Sequence, residues 1–369
     1  MKNISLVILS FLFSLLLVYL LLFSWVSIQK KYISKHNFTS SEMSDFHKYY
    51  SNKLHHLRGK HFEVNEDKKE DYIFTTISEY SDKKINFLIQ GDSWAEYLVT
   101  KINTKKKIDD IVKRKNIGLI NSGIASYSPT PMKIQLDILK EDFDLRPDVV
   151  ISFIDQTDIG DELCRYKSKI KKNNKNEIVS IEREIDTGAI FDYSKYYRFS
   201  EIINKNERFE SLYVTNYYLE KFFKEMLYKL KNLNNQSYLC KFNDISKYLY
   251  AIDNNDEEYF KETLIKYTDK LNDSKNIKKI YLISFPHQKH LNNTYKTNVS
   301  SLIDKINLPD KIEHINFTKI IKEDNFIGKK IYEPLDEASH LTELSQTKLI
   351  EFIFDYIFKR IKIDNIKLQ

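Results

Sequence analysis

Ser93 and His340 are the two residues of this chain whose types and surroundings suit covalent chemistry. Ser93 closes Gly91-Asp92-Ser93 directly after the apolar run "INFLIQ" at 85–90. His340 sits in "EPLDEASHLTELSQ" at 333–346, with Asp336 and Glu337 just upstream. A serine hydroxyl becomes a nucleophile when a histidine takes its proton, and a carboxylate commonly orients that histidine. The chemistry indicated is acyl transfer, to water or to another hydroxyl. Each residue also has a bland reading: serine is a frequent helix cap, and a histidine in an acidic turn is often a plain surface group. His287 and His290 in "SFPHQKH" at 284–290 stand in reserve for base or substrate contact.

Such a site also needs donors for an oxyanion. A strand, a tight glycine turn and a helix would put the Ser93 N–H at a helix N-terminus, where partial positive charge stabilises an anion. Gly123, in Asn121-Ser122-Gly123 after "IGLIN" at 117–121, would bring a second N–H close or serve a turn with positive φ. The chain has only seven glycines, far below the ordinary share of about 7%, so two of them at the ends of apolar runs give these turns weight. A third polar block, Asp155-Gln156-Thr157-Asp158, ends the run "DVVISFID" at 148–155.

The elements that must position these blocks follow from the apolar pattern. Runs at 85–90, 117–121, 148–155, 279–285 and 312–317 are of strand length, and segments at 94–115 and 128–143 are of helical length. Near-continuous apolar runs suit buried parallel strands, and their alternation with helices predicts a doubly wound α/β domain. Ligands gather outside the carboxyl ends of such strands, where all three blocks fall. A last amphipathic helix is expected from about Thr342 to Arg360, with Leu344, Ile350, Ile353 and Ile357 recurring near helical spacing. Residues 200–275 break the alternation. The stripe Leu212, Leu219, Phe222, Met226 and Leu230 and a helix near 255–272 predict a helical insertion, either a cap over the groove or packing support.

From Ile4 to Ile28 no charged residue occurs, and about 20 apolar residues suffice to cross a bilayer. The run exceeds the roughly 7–15-residue core of a signal peptide. Residues 1–28 are therefore read as an uncleaved single-pass anchor, 29–80 as a stalk or peripheral segment, and 81–369 as the catalytic domain. Lys30, Lys31 and Lys35 after the run favour a cytoplasmic domain. Long domains translocate largely regardless of charge, so the domain is placed outside the cytoplasm, in the periplasm. The net charge of +6 comes from scattered lysines, without the basic, aromatic-interleaved patch of a nucleic-acid surface. The lysine-rich stretch 167–177 reads as a solvated loop. Cys164 and Cys240 form one bridge or stay as core residues; no C-x-x-C spacing proposes a metal or redox centre.

Together these blocks resemble the SGNH, or GDSL, hydrolase family, and more closely its membrane-associated branch that handles acyl groups on cell-surface polysaccharides. The resemblance covers roughly residues 85–160 and 332–360. It implies a flavodoxin-like three-layer α/β/α core, Ser93 as nucleophile, His340 as base, the Ser93 and Gly123 N–H groups as oxyanion donors, and no metal or organic cofactor. Two positions depart from the family pattern. Its third block carries an asparagine where this chain has Thr157, with Gln156 alongside; either side chain can donate, but loss of an oxyanion donor lowers rates by about 10²–10³. In its late Asp-x-x-His, Glu337 fills the acid's place and Asp336 lies one residue early, so Asp336, Glu337 or a main-chain carbonyl would orient His340. The implied activity is that of a serine esterase or O-acyltransferase on acyl, chiefly acetyl, groups of a surface glycan. Transfer requires water exclusion, by the insertion or by a partner membrane acyltransferase. The altered third block and displaced acid also fit a weak or inactive glycan-binding scaffold.

Overall fold

The protein's structure, a computed structural model, describes residues 9–10, 13–24, 53–54, 73–82, 84–181, 254–285, 287–288, 298–323, 331–333 and 340–363. The chain forms two units. Residues 47–59, 68–184 and 239–369 hold the central sheet, and residues 1–46, 60–67 and 185–238 make the other.

Along the sheet-bearing unit run β1 (Thr75–Ser78), β2 (Asn86–Gln90), α1 (Ser93–Thr100), α2 (Ile102–Lys115), β3 (Gly118–Asn121), α3 (Pro129–Glu141) and β4 (Val149–Asp155). They are followed by α4 (Thr157–Gly160), a π-helical turn (Asp161–Tyr166) and a ribbon of β5 (Ile170–Lys172) with β6 (Ile178–Ile181). Then come α5 (Asn254–Asp273), β7 (Lys279–Phe285), α6 (Val299–Ile303), β8 (Ile312–Asn316), α7 (Phe317–Glu323) and α8 (Glu343–Ile363). The sheet order is β1-β3-β2-β4-β7-β8, with every neighbouring pair parallel except β1 with β3. Counted along the chain, the five parallel strands stand in the order 2-1-3-4-5. That doubly wound order has a switch point between its first and third strands, here β2 and β4.

Every residue of β2, β3 and β4 is buried, because helices cover both faces. Alternate residues point to opposite sides of a strand, and the two sides differ in chemistry. Phe87, Ile89, Val149, Ile151, Tyr281 and Ile283 join α1, α2 and α8 in one apolar cluster, each large side chain contributing about 1.5–3 kcal/mol on burial. Behind the sheet the packing is partly polar. Gln90 Nε2 donates to Met132 O (3.1 Å) and Gln135 Oε1 (2.8 Å), and Tyr267 OH donates to Gln90 Oε1 (3.0 Å). This satisfied network ties α3 and α5 to the carboxyl end of β2.

Several expectations are corrected. β1 lies inside the segment read as a stalk, so the sheet begins before residue 81. The helix expected over 94–115 is two helices, broken at Lys101, whose backbone is extended (φ −84°, ψ 124°). The end of the expected insertion is α5, whose Phe260, Leu264, Tyr267 and Leu271 are fully buried, so it is a layer of the core. Residues 200–253, with the Leu212 to Leu230 stripe, lie outside the described residues. Leu344 is 61% exposed while Ile350, Ile353 and Ile357 are buried: six residues at about 100° each turn Leu344 away from that face. The stretch 167–177 contains part of the β5–β6 ribbon, on which Lys171 and Lys172 are exposed.

Cys164, on the π-helical turn, is disulfide-bonded; the other cysteine of the sequence, Cys240, lies outside the described residues. In the other unit residues 13–24 are helical, and Leu9, Phe13, Leu16, Leu20 and Leu21 each expose more than half of their surface. Among the described residues no helix is long and apolar enough to cross a membrane. The remainder of the 4–28 run is not among them.

Candidate active site

The turn after β2 explains its own sequence. Gly91 adopts φ +150°, and a Cβ there would stand 2.8 Å from Phe153 Cβ, so only glycine fits. Asp92 is the cap of α1: its Oδ1 accepts the Trp94 N–H at 2.9 Å. Ser93 is thereby released from capping, and the cap reading of Ser93 is overturned. Its Oγ lies 2.6 Å from His340 Nε2 and donates to Asp92 Oδ2 at 3.2 Å. The Ser93 N–H, in the first turn of α1, has no hydrogen-bond partner among the described residues.

His340 is delivered by a short backbone clamp ahead of α8. Tyr332 and Leu341 form an antiparallel bridge, Glu333 N–H donates to His340 O at 2.8 Å, and Thr342 N–H donates to Ile331 O at 2.9 Å. The imidazole packs on Tyr97, ring centroids 4.6 Å apart, and beside Trp94 at 6.2 Å. Asp336 and Glu337 lie outside the described residues, as does His290. His287 is 4% exposed, which does not suit a substrate contact.

The oxyanion donors are corrected in part. Gly123 N–H donates to Asn121 Oδ1 at 2.7 Å, and its φ is not positive. Glycine is required at 123 for a different reason: a Cβ would stand 2.4 Å from Glu96 N and 2.5 Å from Ala95 Cβ, so the loop lies directly on α1. Asn121 Nδ2 donates to Ala95 O (2.8 Å) and Ala125 N–H donates to Glu96 Oε2 (2.8 Å), fastening the two together. Thr157 donates both its N–H and its hydroxyl to Asp155 Oδ1. Gln156 Oε1 accepts the Val299 N–H at 2.8 Å. The Gly123 N–H and both Thr157 donors are thus committed within the protein, whereas the Ser93 N–H has no hydrogen-bond partner among the described residues.

Sequence reasoning missed the acid groups beneath the serine. Asp92, Asp155, Asp158, Asp161 and Glu162 are each at most 2% exposed. Burial pushes Asp92 and Asp158 well above the usual carboxylate range, with neighbouring carboxylates adding to it. Burial also raises Asp155, opposed by its bonds from Thr157 and by the imidazole of His340. Glu162 is raised to about 7 by burial, although it accepts from Ser128 and Thr130. The density of acids between 155 and 162 was the available signal.

A second chain of the same residue types lies on the far side of the sheet. Ser284 Oγ is 2.7 Å from His314 Nε2, and His314 Nδ1 is 2.8 Å from Asp304 Oδ1. Ser284 is inside β7, fully buried, and also 2.7 Å from Ser300 Oγ. No substrate reaches a hydroxyl so enclosed, and the chain serves as a structural linkage of β7, β8 and α6 that runs from the buried Ser284 to the exposed Asp304. Ser93, by contrast, is partly exposed at a sheet edge.

In comparisons with protein-family models, curated proteins and solved structures, nothing matches the chain. Its function is therefore argued from the site.

Proposed function

We propose that this chain is a membrane-anchored SGNH-type serine esterase or O-acyltransferase, acting on acyl groups, acetyl first among them, of a cell-surface polysaccharide. The observation that carries this reading is the 2.6 Å contact of Ser93 Oγ with His340 Nε2, at the switch point of a sheet whose order is that of a flavodoxin-like core. Ser93 Oγ attacks the ester carbonyl while His340 takes its proton. As the ester C–O bond breaks, His340 gives that proton to the departing alcohol oxygen. Water or a glycan hydroxyl then attacks acyl-Ser93, and its proton returns through His340 to Ser93 Oγ. The Ser93 N–H and the first turn of α1 favour the oxyanion. No cofactor is needed for these steps. The exposed apolar side chains of Leu9, Phe13, Leu16, Leu20 and Leu21 support an anchor, and the disulfide at Cys164 supports placement outside the cytoplasm.

A second reading, a weak or inactive glycan-binding scaffold, is favoured by the internal commitment of the Gly123 N–H and the Thr157 hydroxyl. Labelling of the detergent-solubilised full chain with a fluorophosphonate separates the two. The first reading expects labelling that disappears in Ser93→Ala and in His340→Ala. A folded wild-type chain that takes no label, yet retains an acetylated polysaccharide equally well as Ser93→Ala, would establish the second.

A further inference from the structure

Beneath Ser93 lie three carboxyl groups that the acyl-transfer scheme leaves without a role. Asp92, at the end of β2, and Asp155 and Asp158, at the end of β4 and in α4, bring carboxylate oxygens within 4.8 Å of one another in a buried cluster. Their donors are distributed unevenly. Asp155 Oδ1 accepts three: Thr157 N–H (2.5 Å), Thr157 Oγ1–H (2.7 Å) and Asp158 N–H (3.2 Å). Asp158 Oδ2 accepts the Asp155 N–H at 3.0 Å. Asp155 Oδ2 and Asp158 Oδ1 are buried and accept from no N–H or hydroxyl among the described residues. Three carboxyl groups this close together and this far from water cannot all be ionised, because each like charge and the loss of hydration disfavour the charged form of its neighbours. A buried oxygen without a donor, next to an acid that must hold a proton, is satisfied by that proton.

We infer that the three carboxyls hold a single negative charge, placed on Asp155, with Asp92 and Asp158 present as neutral acids, and that this charge is the counter-ion of His340 beneath the site. Asp155 is the member best supplied with donors, and the imidazole of His340 favours its ionised form. Among the described residues, Asp161 also acts on Asp92 and Asp158, and it is paired with Arg165 at 2.6 Å. A neutral Asp92 still caps α1 through Oδ1, and it sets no full negative charge against Ser93 Oγ to oppose the loss of its proton. Asp155 acts through His340, as a positioning and charge-balancing residue, when the imidazole takes up the serine proton. The use of this charge in catalysis rests on the acyl-transfer reading; the distribution of protons does not.

The test is infrared spectroscopy of the full chain in detergent at neutral pH, wild type against Asp92→Asn, Asp158→Asn and Asp155→Asn, with melting curves to verify folding. Asparagine has the shape of a neutral aspartic acid, so the first two changes disturb the packing little. The expected result is a protonated-carboxyl absorption in the wild type that weakens in Asp92→Asn and in Asp158→Asn, while Asp155→Asn removes carboxylate absorption instead. An absorption insensitive to Asp92 and Asp158 would overturn the assignment. Stoichiometric calcium, magnesium or zinc that survives gel filtration and is lost in Asp155→Asn would also overturn it, since the cluster would then hold a cation. Should Asp155→Asn fail to fold, the other two spectra still decide. In the same variants, Asp155→Asn is expected to slow fluorophosphonate labelling of Ser93 about tenfold or more, and labelling at the wild-type rate would remove the counter-ion role. A wild type that never labels but shows the expected spectra would sink the acyl-transfer reading and leave the charge distribution standing.

Discussion

Replacing Gly123 by alanine separates contact from backbone conformation as the reason for that glycine. The added Cβ would stand 2.4 Å from Glu96 N, 2.5 Å from Ala95 C and 2.5 Å from Ala95 Cβ, where ordinary contact begins at 3.4 Å. None of these atoms is the end of a flexible side chain, so loop and helix must separate by about 1 Å, the difference of those two distances. Overpacking of this kind costs about 1–3 kcal/mol, and the rigid neighbours place the change near the upper value. At about 2–4 °C per kcal/mol for a domain of this order of size, Tm falls by about 6–12 °C. The displaced helix carries Ser93 in its first turn, and a 1 Å misplacement of a reacting group costs about 10²-fold in rate. Thermal melts and fluorophosphonate labelling rates measure the two effects. Because the φ of Gly123 is not positive, Gly123→Asn gains nothing over Gly123→Ala, although asparagine tolerates left-handed backbone. A Gly123→Ala protein that melts within about 2 °C of wild type, a change of at most ~1 kcal/mol, would refute the contact argument. So would a Gly123→Asn protein clearly more stable than Gly123→Ala.

Glu162, raised from 4.5 to about 7 by burial, binds its proton more tightly in the folded chain than in the unfolded one. Its stabilisation is complete below about pH 4.5 and is lost as pH rises through about 7, a change on the order of 3 kcal/mol. Urea unfolding between those values should show that loss, and Glu162→Gln should flatten it; stability rising across the window would contradict the sign. Ser284→Ala should leave Ser93 labelling at the wild-type rate while lowering stability by about 1–3 kcal/mol, since the contacts with Ser300 and His314 are both lost and their groups left unpaired. Loss of labelling in that variant would make the second serine–histidine chain the reactive one. Removal of residues 1–28 should release the protein from the membrane fraction, and alkaline phosphatase fused to the C-terminus should be active; an inactive fusion would put the domain in the cytoplasm.

Four of the parallel strands, β2, β3, β4 and β7, were legible because each is a short apolar run buried almost throughout, a local signal, and the edge strand β8 showed itself only by its buried Ile312 and Ile315. So was the placement of Gly91-Asp92-Ser93 at a strand end and of His340 just ahead of the last helix. β1 was not legible: a four-residue edge strand, Thr75–Ser78, with no buried residue carries no such pattern. Nor was the crossover role of α5, since its apolar stripe is the same whether it faces a sheet or an inserted bundle.

At the site the division is sharper. Residue type and spacing determined which serine and which histidine were eligible, because a hydroxyl at a strand end beside glycine is a local arrangement. Tertiary structure decided everything that depends on a partner distant in sequence. It brought Ser93 to His340 across 247 positions. It laid the Gly123 loop on Ala95 and Glu96 of α1 and gathered Asp92, Asp155 and Asp158 around one buried point. It also built a serine–histidine–aspartate chain at Ser284 that no substrate reaches. The physical reason is common to all of these: a hydrogen bond or a proton affinity is set by which groups meet and how far water is excluded, and neither is a property of residues read one after another.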